Sequence, residues 1–280
     1  MKIYFFNICL QWVFQLYREY LQNFIQFCNI HFPHITIENH YVTIDQKNFI
    51  NNMIDSIGLD EKIIFCGEID IIVNIIKDKK RLFYLLNVEQ MSHYLYYECL
   101  RKLPVRLSIL DYSEENIPFF KDIYNESFLL PPYFPLKEKT TKTIDVISLS
   151  NNEYRRQILK NVKINNVYFF DQLYGKERDD LYAISKIYVN LHCSNKHKTM
   201  EMIRIVNLLC HHVIVLSHKS ICNEFLFLHD SIIIFDRIEE IPILIQEILS
   251  NYSYYYQKHK INFENYKKYV YMKYKKFIDF

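Results

Sequence analysis

The stretch that most limits what this chain can fold into runs from Ser185 to Ser217, SKIYVNLHCSNKHKTMEMIRIVNLLCHHVIVLS. Ile187 to Leu191 is a short apolar run rich in β-branched and aromatic residues, and it predicts a buried strand. A polar loop follows from His192 to Lys198, and Thr199 stands where a helix N-cap is expected. Met200, Ile203, Val206, Leu208 and Leu209 then supply an apolar face at helical spacing, and Val213 to Leu216 begins another strand. Strand, loop, helix and strand make a βαβ unit. Open α/β sheets bind ligands at the carboxyl ends of their strands, beside helix N-termini. At that place the sequence puts Lys198, Thr199 and Glu201, with Arg204 just after them. A carboxylate in the first helical turn can accept paired hydroxyls, while free backbone N–H groups and a lysine can hold phosphate. A sugar nucleotide presents both.

The rest of the chain repeats the alternation. Strands are predicted over Ile3 to Ile8, Ile35 to Ile37, Lys62 to Cys66, Leu82 to Val88 and Val105 to Leu110, with helices over Leu10 to Phe27 and Met91 to Leu100. Ile69 to Ile76 continues apolar, and Ser113 begins a capped helix carrying Glu115. Pro131, Pro132 and Pro135, then KEKTTKT, form the one Pro-rich and charged break, which marks a domain boundary. The expected division is 1–135, 136–250 and a basic aromatic tail, 251–280. In the second domain, strands are expected over Ile144 to Leu149, Val167 to Phe170 and Ser231 to Phe235, with helices at Tyr154 to Ile158 and Ile238 to Leu249. Alternating elements of this kind imply mostly parallel sheets.

Composition excludes several classes. The formal charge of +2 on 280 residues gives no electrostatic case for a nucleic-acid partner. Three glycines leave no Gly-rich phosphate loop, though Gly175 before a helix suggests backbone that other residues would strain. Seven cysteines without a C-x-x-C pair read as reduced thiols in a cytoplasmic setting. Gln11, Gln15 and Arg18 interrupt the apolar start, against a signal or anchor. Neither His192 with His197 nor Cys210 with His211 and His212 repeats a zinc spacing, so no metal is expected.

The phrase Thr199-Met200-Glu201-Met202-Ile203-Arg204 resembles the donor helix of the GT-B glycosyltransferases. Asn87-Val88-Glu89-Gln90, Asp111-Tyr112-Ser113 with Asn116, and Leu130-Pro131-Pro132-Tyr133 are similar, in that order, to turns in the first domain of divergent GT-B-like proteins. Ser185, Lys186, Ile187, Asn190 and His192 match a strand phrase of the second domain, and Arg155-Arg156 a recurring arginine pair. The resemblance implies two Rossmann-like domains with a terminal helix packing back across them. It also implies a nucleoside-diphosphate sugar such as a UDP-sugar as co-substrate, no separate cofactor, and a glycan, protein or small-molecule acceptor. Glu201 would contact the ribose, with Lys198, Thr199 and one of Arg155 or Arg156 near the diphosphate and Ser150, Asn151 and Arg204 beside the donor. Glu89, Asp111 and His192 are the catalytic candidates.

Each of these has a plainer alternative. Glu89 and Asp111 would serve equally as helix caps, His192 as a structural histidine, and an arginine as part of a solvated helix face. Many retaining GT-B enzymes carry a second glutamate eight positions before the one matched by Glu201, where this chain has Cys193. That departure leaves the stereochemistry open and supports a second reading, a binding module that kept the fold and lost the reaction. In the tail, Phe263, Tyr266, Val270, Tyr274 and Phe277 form a stripe that fits either a membrane surface or packing against the domains.

Overall fold

The structure, a computed structural model, is described for residues 1–8, 14–43, 46–87, 107–113, 116–117, 126–138, 140–149, 152–162, 167–170, 173, 175–192, 200–220, 228 and 231–280. The chain divides into two compact units, residues 1–132 with 271–280, and residues 133–270. The division falls at Pro132 rather than after Pro135, and the expected tail segment is shared between the units.

Unit 1 contains strands β1 (Lys2–Ile8), β2 (Thr36–Val42), β3 (Lys62–Gly67), β4 (Phe83–Asn87), β5 (Leu107–Asp111) and β6 (Ser127–Leu129), and helices α1 (Phe14–His31), α2 (Lys47–Ser56) and α3 (Ile69–Ile76). The sheet order is β2-β1-β3-β4-β5-β6 with every pairing parallel. The inner strands β1, β3, β4 and β5 are buried along almost their whole length, as strands covered by helices on both faces must be, whereas the edge strand β2 is buried only at Val42. Tyr4, Phe6 and Ile8 of β1 share a core with Ile50 and Ile54 of α2 and with Ile69, Ile72 and Ile76 of α3. Phe5, on the opposite face, meets Phe24 of α1 edge-on at 5.3 Å. The apolar run Ile69–Ile76 is thus a helix, with buried isoleucines at three- and four-residue steps. The expected helix over Met91 to Leu100 and the cap with Glu115 lie outside the described residues.

Unit 2 contains β7 (Ile144–Leu149), β8 (Val167–Phe170), β9 (Ser185–Asn190), β10 (Ile214–His218) and β11 (Ile232–Phe235), with helices α4 (Glu153–Asn161), α5 (Lys176–Ile184), α6 (Met202–Cys210) and α7 (Ile241–Ser250), and the last helix, α8 (Tyr252–Asp279), belongs to unit 2 up to Val270 and to unit 1 from Tyr271. Its order is β11-β10-β9-β7-β8, again all parallel. Val146, Ile187, Val189, Ile214 and Leu216 pack against Ile241, Ile245 and Ile248 of α7. Gly175 precedes α5 with φ +60°, a left-handed conformation that a side chain would strain.

The aromatic stripe of α8 is buried. Phe263, Tyr266, Val270, Tyr274 and Phe277 are all 0% exposed. Of the two readings of the stripe, a lipid-facing surface or a face covered by protein, the structure shows the second. Within unit 1, the Tyr274 hydroxyl donates to the Pro131 carbonyl at 2.9 Å, and its ring lies 5.0 Å from Phe24 and 4.9 Å from Phe27. Phe277 stands edge-on to Tyr84 at 5.3 Å and to Phe128 at 5.7 Å. Among the described residues no helix is long and apolar enough to cross a membrane.

Candidate functional site

The strand order of unit 2 reverses between β7 and β9, because β8 lies outside β7 while β10 and β11 continue beyond β9. Loops leaving such adjacent strands diverge to opposite faces and open a crevice at their carboxyl ends. The helices that follow these two strands are α4 and α6. Asn152 caps α4 by accepting from the Arg155 backbone N–H at 3.2 Å, which places Arg155 in the first turn. On α6 the N-cap position is occupied by Glu201, not Thr199, so the carboxylate stands at the mouth of the helix rather than within its first turn. Thr199 itself lies outside the described residues.

Arg155 and Glu201, 46 residues apart, meet there. Arg155 Nη2 donates to Glu201 Oε1 at 2.5 Å, and Arg204 Nη1 donates to Oε2 from one helical turn further along. The Arg155 side chain is 7% exposed and that of Glu201 19%. Burial pushes the Glu201 carboxyl up, but Arg204 and then Arg155 outweigh it and hold the group below the usual carboxylate range. The same carboxylate keeps the Arg204 guanidinium firmly charged against its own burial. Arg204 also approaches Asn190 Oδ1 at the end of β9, at the limit of hydrogen-bond length, and Asn190 Nδ2 donates to Ser217 Oγ on β10. A polar chain therefore runs from β10 through β9 and α6 to α4.

The paired arginines separate in role. Arg156 pairs with Glu153 of its own helix at 3.1 Å, while Arg155 turns inward. His192 donates from Nε2 to the Lys219 carbonyl at 2.8 Å, and its ring lies 5.0 Å from that of His218. A carbonyl accepts only, so this nitrogen carries the proton. His192 is 5% exposed and lends some positive potential to Glu201. Ser150, Asn151, Lys198 and Thr199, like Glu89, lie outside the described residues.

The far end of α6 is tied down as well. Lys142 Nζ donates to the carbonyl of His211 at 2.7 Å and of Tyr182 at 3.2 Å, so a cation sits at the helix C-terminus. Burial lowers this lysine to about 7.

In unit 1, Asp111 is 0% exposed. Its Oδ1 accepts from the Ser113 backbone N–H at 2.8 Å and from Asn116 Nδ2 at 3.0 Å, and its Oδ2 accepts from Asn87 Nδ2 at 2.7 Å. Burial raises the carboxyl to about 7 against the pull of those donors. Asp111 also lies between β4 and β6, away from the reversal of strand order between β1 and β3. These contacts tie the ends of β4 and β5 to the following turn, and the carboxyl is turned into the protein. Among the described residues no group of three or more His, Cys, Asp or Glu is placed to hold a metal ion.

The Arg155–Glu201 contact is what sequence reasoning missed. The two residues were separate candidates, and only the order of strands brings their helices together.

No family model matches the chain. It is 28% identical over 265 residues to the uncharacterized protein L140 of Acanthamoeba polyphaga mimivirus, covering 89% of this chain and 81% of that protein. The uncharacterized protein L137 of the same virus is 27% identical over 212 residues, 70% of this chain and only 26% of L137. Among solved structures, the chain is similar to an alpha-glucosyltransferase in complex with UDP-glucose and DNA containing an abasic site, at TM-score 0.62, 13% identity and 94% coverage of both chains. It is also similar to T4 phage beta-glucosyltransferase, at TM-score 0.61, 12% identity and coverage of 98% of this chain and 97% of that one. The two parallel sheets and these likenesses agree on one architecture, and the fold of this chain is that of the GT-B glycosyltransferases.

Proposed function

We propose that this chain is a glycosyltransferase that moves a sugar from a nucleoside-diphosphate sugar, with UDP-glucose as the first donor to try, onto an acceptor hydroxyl. The observation that carries the reading is the meeting of Arg155 and Glu201 at the strand-order reversal of unit 2. The Glu201 carboxylate accepts from ribose hydroxyls. Arg155, with Lys198 and Thr199, takes the diphosphate, and Ser150, Asn151 and Arg204 complete the surroundings. In the reaction the bond from the anomeric carbon to the diphosphate oxygen breaks, and one to the acceptor oxygen forms. Fixed cationic and N–H groups stabilise the charge that develops on the departing diphosphate. Glu89 is the proposed general base for the acceptor proton. Asp111 serves to position the ends of β4 and β5, and His192 to hold the loop after β9 against Lys219. The reaction uses no metal in this reading.

The near-balanced charge is a weak argument about the acceptor, because one solved neighbour is described in complex with DNA. Duplex DNA therefore belongs in the acceptor panel beside glycans, proteins and small hydroxylated molecules. Calorimetric titration with UDP-glucose, followed by assay for released UDP with each acceptor, tests the proposal. Wild type should bind and turn over, Glu201→Ala should lose binding, and Glu89→Ala should bind and fail to transfer. Absence of UDP-glucose and UDP binding to the folded wild type refutes it. Cys193, in place of an expected glutamate, favours the second reading, a binding module. Tight binding without transfer or hydrolysis selects that one.

A further inference from the structure

Arg155 is 6% exposed, and its Nε is buried with no hydrogen-bond partner among the described residues. Nε and Nη2 form one edge of the guanidinium fork, and in this protein Glu201 takes only the Nη2 donor of that edge. A buried donor left idle is costly. A diphosphate, with several oxygens in one plane of approach, can satisfy both donors at once. Glu201 meanwhile has each of its oxygens committed, Oε1 to Arg155 and Oε2 to Arg204. Oε1 keeps a second lone pair, but a ribose hydroxyl that uses it shares the oxygen with the Arg155 cation, and it binds more strongly once Arg155 gives the oxygen up.

Resting on the donor reading above, we infer that the Arg155–Glu201 ion pair is an exchange latch which couples recognition of the two halves of the donor. The diphosphate takes the Nε–Nη2 edge of Arg155, and this frees Oε1 of Glu201 for the ribose. Arg204 keeps Oε2 and holds the carboxylate in place. A nucleoside alone must compete with Arg155, and an anion alone leaves Oε1 without its partner. Each half therefore binds better when the other is present, and linkage makes the two effects equal.

The test titrates uridine into the full chain by ligand-observed NMR, with and without saturating inorganic pyrophosphate, using UDP as the reference ligand. Pyrophosphate should lower the uridine Kd by about fivefold or more, the usual floor for coupled sites. Uridine should lower the pyrophosphate Kd by the same factor. With 2′,3′-dideoxyuridine, which offers Glu201 no hydroxyls, the effect should vanish. In Arg155→Gln, uridine binding should become indifferent to pyrophosphate. If that variant does not fold, the wild-type titrations and the dideoxy control decide the matter alone. A uridine Kd that ignores pyrophosphate while UDP still binds overturns the latch and leaves the donor site standing. Coupling that persists in Arg155→Gln also overturns it. Failure of UDP itself to bind removes the donor reading, and the latch with it.

Discussion

Glu201→Gln keeps the shape of the side chain and removes its charge, leaving Arg155 and Arg204 facing a neutral amide. A unit charge pair at contact near a protein surface has a gross attraction of roughly 4 kcal/mol. Part of that is offset by desolvation, but desolvation of the arginines persists when the partner is lost. Stripping one partner from a buried pair costs about 3–5 kcal/mol. Arg155 is almost fully buried, whereas the Arg204 side chain is 33% exposed and can turn to water. The expected loss is therefore at the low end, about 3 kcal/mol. At ~2–4 °C per kcal/mol for chains of this size, melting should fall by roughly 10 °C. Equilibrium urea denaturation followed by circular dichroism measures the free energy directly. The double variant Arg155→Met with Glu201→Gln should recover part of the loss, giving a coupling energy of ~1–3 kcal/mol, because no buried charge is then stranded at position 155. A loss below ~0.5 kcal/mol for Glu201→Gln, the size of an ordinary surface change, or strict additivity in the double variant, would show that the pair is not a buried ion pair in solution.

Two further outcomes follow from the buried groups. Burial depresses His211 to about 4 and His259 to about 3, so below pH 6.5 the unfolded chain binds protons that folded unit 2 refuses. Unit 2 should lose stability as pH falls from 6.5 toward 4, by up to ~2.7 kcal/mol per pH unit for two groups. Asp111, raised to about 7, has the opposite sign, and unit 1 should lose stability as pH rises from about 4 to 7. Hydrogen exchange read separately at β9–β10 and β4–β5 should show the two trends diverging. Asp111→Asn should flatten the second trend, and parallel trends would refute the assignment. Phe277→Ala removes a ring that is 0% exposed and packed on Tyr84 and Phe128, at an expected cost of ~3–5 kcal/mol. A loss under ~1 kcal/mol in chemical denaturation would mean that this face is not closed.

Much of the fold was legible because its strands are covered on both sides and so read as continuous apolar runs. Ile144–Leu149, Lys62–Gly67 and Ile232–Phe235 announce themselves this way. Helix α2 gave almost no signal, since only Ile50 and Ile54 of its ten residues are buried amid asparagines. Strand β6 has three residues, too few for a period. The start of α6 was misjudged because threonine is an intrinsically better N-cap than glutamate. Here Glu201 makes no side-chain cap bond and is held by arginines from two helices instead. Which of Arg155 and Arg156 faces inward depends on the phase of α4 relative to the sheet, and a stretch of nine mostly polar residues does not declare that phase. The reversal of strand order, which makes Arg155 and Glu201 neighbours, is a property of pairing between distant segments, and no local window of sequence contains it.

Residues 271–280 complete unit 1, yet all of unit 2 separates them from residue 132. During synthesis the first unit is therefore expected to lack the cover that Tyr274 and Phe277 give to Phe24, Phe27 and Tyr84 until the second has left the ribosome. A ribosome-arrest series should find unit 2 protease-resistant at nascent-chain lengths where unit 1 is still cut, an order of maturation opposite to the order of translation.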